Sequence, residues 1–435
     1  MRFINNNTDK NKVYNRIAHG AFWSFTGTAT AKFLTLLSGI ICAHILTRHN
    51  YGEFSMIRST INMFVVLGAG GIGVTVTKHI SEHKKNNKST IPYIYANIKR
   101  FGLFTGAFCT LVVLIFSEFI SSSILSDSSL SIPLKWGSLL LFFSIVNGVQ
   151  NGTLLGFEDF RSIAVNTLTG SVFETIFMLV GAWLYGVSGA ILGFGLGFVV
   201  IFLMNKLSIK KQFTRNGLSF VSSSNIQNKY KLITSFTLPA TLSALLIAPT
   251  FWLLRSLLAN KNGFEELAVF EAADQWKVVM LFIPTTISQI ALPILSSLSG
   301  EKRVFINTLW INVGIVAAVS IALMSIVLLI GNDIMRLYGS SFANPQPIRI
   351  LSISCIFSAV ANVLELSVYS IGKMWQCFYL NVLWAASAIG LTIIFLDHGL
   401  GASGVAYAIC ISYIFSCILF AGYVCYLNSK NAFGK

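Results

Sequence analysis

Apolar runs of roughly 20 residues follow one another along almost the whole chain, and each can cross a hydrocarbon layer of about 30 Å as an α-helix. With 54% hydrophobic and 11% charged residues and a mean hydropathy of +0.71, the chain is not a soluble globular protein, which carries about 25% charge. Alternating ten-residue strand patterns are absent, so helices satisfy the backbone in lipid. The sequence therefore predicts an all-α polytopic membrane protein.

The hydrophobic pattern predicts twelve membrane spans joined by short loops. They lie at residues 20–46, 50–76, 101–125, 133–156, 160–184, 187–206, 232–259, 266–297, 304–331, 347–371, 374–396 and 401–427. Most of the 31 lysines and arginines fall on one side of the membrane if the N-terminus lies inside. The positive-inside rule therefore predicts that both termini are cytoplasmic.

The two halves of the chain repeat at an offset of about 215 residues. The segment 186–190, Gly-Val-Ser-Gly-Ala, returns as 401–405, Gly-Ala-Ser-Gly-Val, and Asn166 returns as Asn381. Six spans make a unit, so the halves have parallel topology, related by an axis along the membrane normal. We expect an N-terminal six-helix bundle at 1–206, a cytoplasmic linker at 207–231 and a C-terminal six-helix bundle at 232–435, with the bundles around a central cavity.

The basic residues and the cysteines have simple explanations in a membrane protein. A net charge of +15 would suggest nucleic acid in a soluble protein, but here the cations lie in short loops on one side, so no nucleic-acid partner is expected. The seven cysteines all fall within apolar runs without CxxC spacing. We therefore expect neither disulfides nor a metal site.

Helix breakers occupy matching places in the two halves. Four of the eight prolines lie in the seventh and eighth spans: Pro239, Pro249, Pro284 and Pro293. The second span carries the glycines Gly68, Gly70 and Gly71, and a shift of 216 places Gly68 on Pro284. Broken helices at corresponding positions of two repeats indicate a binding site or a gate. Alternatively, the glycines only allow close helix packing.

Four cations lie within spans or at their ends, on the first two helices of each half: Lys32, Arg58, Arg255 and Lys277. A charge at mid-bilayer costs about 3 kcal/mol or more, so these side chains are expected to face protein or water. We interpret them as substrate-binding cations of a cavity. Alternatively, Arg58, Arg255 and Lys277 reach the outer interface, and Lys277 forms a local ion pair with Asp274 one helical turn away.

Acidic residues accompany these cations: Glu53, Glu174, Glu271, Asp274 and Glu365. Within a membrane, such groups exchange protons or hold Na⁺ during a transport cycle. We interpret Glu174, Asp274 and Glu365 as candidates for ion coupling or as charge partners of the cations.

Motifs of enzymes are lacking. The stretch 68–73, Gly-Ala-Gly-Gly-Ile-Gly, matches a dinucleotide fingerprint by letters only, because it lies within a membrane helix. Neither a Walker A motif nor an HExxH or GxSxG motif occurs. The chain is therefore expected to be no enzyme, with no catalytic residue and no cofactor.

Several segments carry a family resemblance. The segments 43–48, Ala-His-Ile-Leu-Thr-Arg, and 51–54, Tyr-Gly-Glu-Phe, with the paired Gly-x-Ser-Gly segments and twelve spans, resemble the Wzx-type polysaccharide flippases. These belong to the multidrug/oligosaccharidyl-lipid/polysaccharide exporter superfamily. The resemblance extends over essentially the whole chain, but topology and repeat carry more of it than any motif, and it assigns no cation position.

The resemblance implies a MATE-like fold in the bacterial inner membrane and transport by alternating access. The implied substrate is an undecaprenyl-pyrophosphate-linked O-antigen repeat unit, moved from the cytoplasmic to the periplasmic leaflet for lipopolysaccharide biosynthesis. The implied partners are membrane lipids, the O-antigen polymerase and chain-length regulator, and H⁺ or Na⁺. The alternatives are a cation-coupled multidrug or metabolite antiporter of the same superfamily and an integral membrane glycan polymerase or ligase.

Overall fold

The computed structural model describes residues 8–221, 237–297 and 301–429, and every regular element within them is helical. The predicted all-α polytopic class is confirmed. The α-helices are α1 (Thr8–Ile45), α2 (Arg48–Ala69), α3 (Ile72–Asn86), α4 (Ile91–Phe119), α5 (Ser131–Gly156), α6 (Phe160–Arg215), α7 (Thr237–Asn262), α8 (Phe264–Ser297), α9 (Lys302–Arg336), α10 (Gln346–Ser370), α11 (Met374–Asp397) and α12 (Gly401–Ser429).

Nine helical segments of the described ranges are long and apolar enough to cross a membrane. One of them, α6, has 56 residues and contains a break at Tyr185 and Gly186, so it holds the fifth and sixth predicted spans. Gly186 has φ 58° and ψ −137°, a conformation that a residue with a Cβ rarely adopts. Helices α7 and α8 correspond to the seventh and eighth predicted spans.

The second predicted span is divided between α2 and α3. Helix α2 ends at Ala69, and α3 begins at Ile72 after Gly71, which has φ 65°. Gly68 has a packing role instead, because a Cβ there would overlap the side chain of Ile145.

No corresponding break occurs at the two prolines whose surroundings the structure describes. Helix α7 continues through Pro249, and α8 continues through Pro284. Nearby hydroxyls bond to helical carbonyls, since Thr250 Oγ1 donates to Leu246 O at 2.7 Å and Ser288 Oγ donates to Pro284 O at 2.9 Å. The expected helix break at Pro249 and Pro284 is therefore not found, and their part in gating stays a prediction.

The described residues divide into two compact units. Unit 1 comprises Met1–Ser38, Phe64–Ser117 and Ser131–Thr241, and unit 2 comprises Gly39–Met63, Glu118–Leu130 and Leu242–Lys435. The end of α1 and most of α2 therefore pack with the C-terminal part of the chain. Of the predicted linker, residues 207–215 are helical, and residues 222–231 lie outside the described ranges. The bundle boundaries at 206 and 232 remain predictions.

Each unit has its own apolar core. In unit 1, α3, α4, α5 and the end of α6 bury Val76, Ile94, Val149 and Phe213 among others. In unit 2, α8 to α12 bury a second cluster that includes Leu309, Val363, Cys377 and Phe420. Many other large apolar side chains are exposed, as expected for helices that face lipid.

Candidate functional site

Five charged side chains of unit 2 form one continuous cluster, which we call the charge cluster. Its members are Arg58 on α2, Arg255 on α7, and Glu271, Asp274 and Lys277 on α8. The α8 members are spaced by three residues, which places them on one face of the helix. The structure thus brings together three of the four cations predicted from the sequence, while Lys32 belongs to unit 1.

Cations and carboxylates alternate along the charge cluster. Arg58 Nη2 lies 3.4 Å from Glu271 Oε2, and Glu271 Oε1 accepts from Arg255 Nε. Arg255 Nη2 donates to Asp274 Oδ2 at 2.7 Å, and Lys277 Nζ lies 3.3 Å from Asp274 Oδ1. Each carboxylate therefore bridges two cations, and the three cations outnumber the two carboxylates.

The charge cluster is buried and lies among aromatic rings. Glu271, Asp274 and Lys277 are 4%, 8% and 5% exposed. The Lys277 Nζ lies 5.0 Å from the centre of the Phe251 ring and 5.8 Å from that of Tyr413. Removing one partner of a buried ion pair costs about 3–5 kcal/mol, because a charge remains without compensation. Substitution of one buried member is therefore expected to destabilise unit 2.

The three cations differ in how many of their donors are occupied. Arg255 uses all three of its guanidinium nitrogens, because Nη1 also donates to Phe251 O at 3.2 Å. Arg58 and Lys277 each have one long contact with a carboxylate. Guanidinium has five N–H groups and ammonium three, so Arg58 and Lys277 retain donors for an anion. Arg255 is the structural centre of the cluster.

The corner between α1 and α2 is held within unit 2 by a second set of polar contacts. Arg48 Nη2 pairs with Glu266 Oε1 at 3.1 Å, and its Nε and Nη1 donate to backbone carbonyls of Glu265 and Ser341. Glu266 Oε2 accepts from Ala402 N at 2.8 Å, at the N-terminus of α12. A carboxylate is favourable there because of the helix dipole.

Neighbouring residues of the same corner add to these contacts. The ring nitrogen His44 Nε2 lies 2.8 Å from Leu337 O, and Tyr51 OH accepts from Gln275 Nε2 at 2.7 Å. A Cβ on Gly52 would overlap the backbone of Phe264, so α2 and the start of α8 are in close contact. The segments 43–48 and 51–54, which carry the family resemblance, thus form the packing surface of this corner.

Lys32 and Glu174 both belong to unit 1, whereas the charge cluster belongs to unit 2. Lys32 on α1 is half-buried, and no carboxylate pairs with it in the part of the chain that the structure describes. The break at Tyr185 and Gly186 divides α6 into a first leg and a second leg. Glu174 is half-buried on the first leg, and its side chain packs against Gly197 of the second leg.

Glu365 on α10 is surrounded by neutral donors. Its Oε1 accepts from Asn381 Nδ2 at 2.6 Å and from Tyr369 OH at 3.0 Å. The nearby side chains of Leu364, Val368 and Cys377 belong to the apolar core. Among the described residues Glu365 has no cationic partner, in contrast to Glu271 and Asp274.

In the part of the chain that the structure describes, two groups of side chains outside the charge cluster have the donors that metals prefer. His79, Glu82 and His83 lie on one face of α3, and His49, Glu53 and Asp127 lie together in unit 2. Within each group the ligand atoms are within 4.8 Å of one another. In both groups a histidine already lies beside a carboxylate, His79 at 3.4 Å from Glu82 and His49 at 3.3 Å from Glu53.

Sequence reasoning missed Arg48 and Glu266 and gave Glu271 no specific role. Arg48 lies between the first two predicted spans, and its partners lie more than 200 residues away in the sequence. The spacing of three residues between Glu271, Asp274 and Lys277 was the available signal for the charge cluster.

Comparison with known proteins identifies the family. Residues 17–299, more than half of the chain, match the family described as polysaccharide biosynthesis protein. The chain belongs to this family. The resemblance to a polysaccharide-related family is thereby confirmed.

Relatives in the family are similar over long stretches. The EPS I polysaccharide export inner membrane protein EpsE of Ralstonia solanacearum is 22% identical over 409 residues, covering 89% of each chain. The lipid III flippase of Escherichia coli strain K12 is 24% identical over 293 residues, covering 66% of this chain and 68% of the flippase.

Solved structures support a MATE-like fold for this member of the family. An inward-facing multidrug resistance MATE family transporter of the MOP superfamily superposes with a TM-score of 0.79 at 17% identity, covering 92% of this chain and 95% of the other. A MOP superfamily transporter from Pyrococcus furiosus gives a TM-score of 0.72 at 18% identity, covering 97% and 96%. The predicted MATE-like fold is confirmed.

Proposed function

We propose that the protein is a flippase for lipid-linked oligosaccharides, and that its substrate is an undecaprenyl-pyrophosphate-linked O-antigen repeat unit. The observation that carries the proposal is the charge cluster in a member of this family: a buried group with more cations than carboxylates. Such a group favours an anionic ligand over a cationic drug. The names of the relatives, an export protein for a polysaccharide and a flippase, agree with the proposal.

The physical task of the flippase is to replace water around the pyrophosphate and the sugars. A polar group that enters an apolar environment without hydrogen bonds costs several kcal/mol, and a charged group costs more. In our proposal Arg58 and Lys277 provide charge-assisted hydrogen bonds to the pyrophosphate, and Arg255 positions the carboxylates around them. Lys32 of unit 1 is a further candidate cation for the anionic substrate. The lipid tail remains in the bilayer.

Transport proceeds by alternating access in this proposal, from the cytoplasmic to the periplasmic leaflet of the bacterial inner membrane. With a cytoplasm negative by about 100 mV, outward movement of one negative charge gains about 2.3 kcal/mol. The potential therefore assists export of an anionic headgroup. Coupling to H⁺ or Na⁺ through Glu174 or Glu365, and contact with an O-antigen polymerase and chain-length regulator, are further parts of the proposal.

The test combines glycan display with the sidedness of the lipid-linked unit. We expect that deletion of the gene abolishes surface O-antigen, and that the undecaprenyl-linked unit accumulates on the cytoplasmic face in inverted membrane vesicles. Complementation with Arg58→Gln is expected to restore display only weakly at normal protein levels. Intact display in the deletion strain contradicts the proposal, and a unit that crosses without being polymerised indicates a glycan polymerase or ligase instead.

A cation-coupled multidrug or metabolite antiporter is the second candidate, and Glu365 is the observation in its favour. A buried carboxylate whose described hydrogen-bond partners are neutral suits a proton or a small cation. The antiporter predicts that deletion sensitises cells to cationic drugs and leaves glycan display unchanged. The flippase predicts the opposite pair of results.

A further inference from the structure

Unit 1 contains a cavity of about 430 Å³ between the two ends of α6, which we call the basic pocket. Its polar lining consists of Asp159, Arg161, Ser162, Asn166, Ser208, Lys211 and Arg215. The cavity therefore lies where the first leg of α6 begins and the second leg ends. The positive-inside pattern predicts that this end of unit 1 faces the cytoplasm.

The charges of the basic pocket are unbalanced. Arg161, Lys211 and Arg215 line it, and in the described part of the chain none of them pairs with a carboxylate. The single carboxylate of the lining, Asp159, is engaged otherwise. Its Oδ1 caps α6 by accepting from Ser162 N at 3.2 Å, and its Oδ2 accepts from Gln212 at 2.5 Å. The surplus of positive charge favours an anion.

Part of the lining is a preorganised polar network. Asn166 is 3% exposed, and its Nδ2 donates to Asn205 Oδ1 at 2.8 Å and to Ser208 Oγ at 3.0 Å. Asn205 in turn donates to Asn151 Oδ1 at 3.0 Å. The hydroxyl of Ser208 in turn donates to Asn166 Oδ1 at 3.5 Å, so these bonds fix the polar wall of the pocket.

The surroundings of the basic pocket point to the headgroup level of a membrane. The guanidinium of Arg161 lies 5.4 Å from the centre of the Trp23 ring, and the apolar span of α1 begins beside it at Phe22. Tryptophan is enriched at membrane interfaces. The apolar part of the lining, Val165 and Leu207, is 40% and 63% exposed. A ligand with both a phosphate and an apolar tail therefore fits the pocket better than a free anion does.

We propose that the basic pocket binds the phosphate group of an anionic lipid. Basic pockets between membrane helices at the cytoplasmic side are suited to such headgroups. Two lipids share this chemistry, an anionic phospholipid of the bilayer and a polyprenyl diphosphate carrier. The site belongs to unit 1 and the charge cluster to unit 2, so the proposal does not depend on the proposed transport function.

The test measures lipid binding to the purified full-length protein in detergent by native mass spectrometry. The probes are phosphatidylglycerol, undecaprenyl diphosphate without sugars, and phosphatidylcholine as the neutral reference. The pocket variant is Lys211→Gln/Arg215→Gln. The matched control, Lys206→Gln/Lys210→Gln, removes the same charge from exposed positions of the same helix leg that do not line the cavity.

We expect the pocket variant to bind the preferred anionic lipid about tenfold more weakly, and the control variant to remain within about twofold of the native protein. A preference for phosphatidylglycerol assigns the site to bilayer phospholipid, and a preference for undecaprenyl diphosphate assigns it to the carrier. Equal loss in the two variants, or native binding of phosphatidylcholine as tight as that of both anionic lipids, overturns the proposal. All four substituted side chains are exposed, so unfolding does not obscure the comparison.

Discussion

The two Gly-x-Ser-Gly segments occupy matching places in the repeat but have different surroundings. Gly186 and Gly401 both have positive φ, 58° and 51°, and each begins a helical segment. A Cβ on Gly186 would meet nothing within 4 Å, whereas a Cβ on Gly401 would overlap the carboxylate of Glu266. The two copies therefore share a positive φ at this glycine, and of the two only the copy in unit 2 lies against a charged side chain.

The repeated asparagines differ in the same way. Asn166 in unit 1 bonds to the neutral side chains of Asn205 and Ser208, and Asn381 in unit 2 bonds to the carboxylate of Glu365. The contacts His79–Glu82 and Lys84–Glu158 of unit 1 involve exposed carboxylates, whereas Glu271 and Asp274 of the charge cluster in unit 2 are buried. The comparison teaches that the duplication preserved topology and that buried charge chemistry was concentrated in unit 2.

The largest expected effect comes from removing the carboxylate shared by Arg58 and Arg255. Glu271→Gln leaves two buried guanidiniums without their common partner, and we expect a loss of about 3 kcal/mol in the free energy of unfolding. The measurement is denaturant unfolding in detergent, followed by tryptophan fluorescence. Glu365→Gln is the control, because an amide oxygen still accepts from Asn381 and Tyr369, and its expected loss is below about 1 kcal/mol. If both variants lose the same free energy of unfolding, the ion pairs of Glu271 contribute no more to stability than the neutral hydrogen bonds of Glu365, and the prediction is wrong.

The fold of both units was predictable because hydrophobic length and charge asymmetry are local properties of the sequence. Part of the site was predictable for a similar reason, since few charges occur in spans and Arg58, Arg255 and Lys277 are conspicuous there. The pairing of each carboxylate with its cations was not predictable, because Arg58 and Glu271, for example, are 213 residues apart. The break of α6 at Tyr185 and Gly186 lies between the predicted spans 160–184 and 187–206, so it was predictable. The continuity of α8 through Pro284 was not, because it depends on packing that no local pattern records.

The second prediction concerns the corner that brings α2 into unit 2. Arg48→Ala removes an ion pair and two hydrogen bonds to backbone carbonyls, so we expect a loss of about 2 kcal/mol in the free energy of unfolding. The matched variant is Arg336→Ala, whose ion pair with Asp333 is exposed and 3.9 Å long. It is expected to change stability by less than about 0.5 kcal/mol. The same unfolding assay checks both, and an unaffected Arg48 variant shows that the corner is held by apolar packing alone.

The two repeated glycines give a direct test of the opening comparison. Gly186→Ala places a Cβ at positive φ in open space, so we expect a loss of about 1 kcal/mol. Gly401→Ala also places a Cβ at positive φ, and in addition it displaces Glu266 from Arg48, so its loss is expected to be larger by about 1 kcal/mol. Midpoints of thermal unfolding rank the two variants. Equal midpoints mean that Glu266 moves aside without loss, and the two copies are then equivalent in energy.

The smallest effect on stability, with a clear effect on transport, is expected for Lys32. This lysine of unit 1 has no carboxylate partner among the described residues, so its removal leaves no buried anion uncompensated. If it contacts the pyrophosphate, Lys32→Gln weakens one charge-assisted hydrogen bond, and transport of the lipid-linked unit in vesicles falls about tenfold at unchanged stability.

Two further variants serve as references for Lys32. Lys277→Gln is expected to lower both transport and stability, because Lys277 also balances the charge of Asp274. Lys99→Gln, at an exposed position of unit 1, is the control and changes neither. Loss of stability without loss of transport in the Lys32 variant assigns this residue to the fold, and substrate recognition then belongs to unit 2 alone.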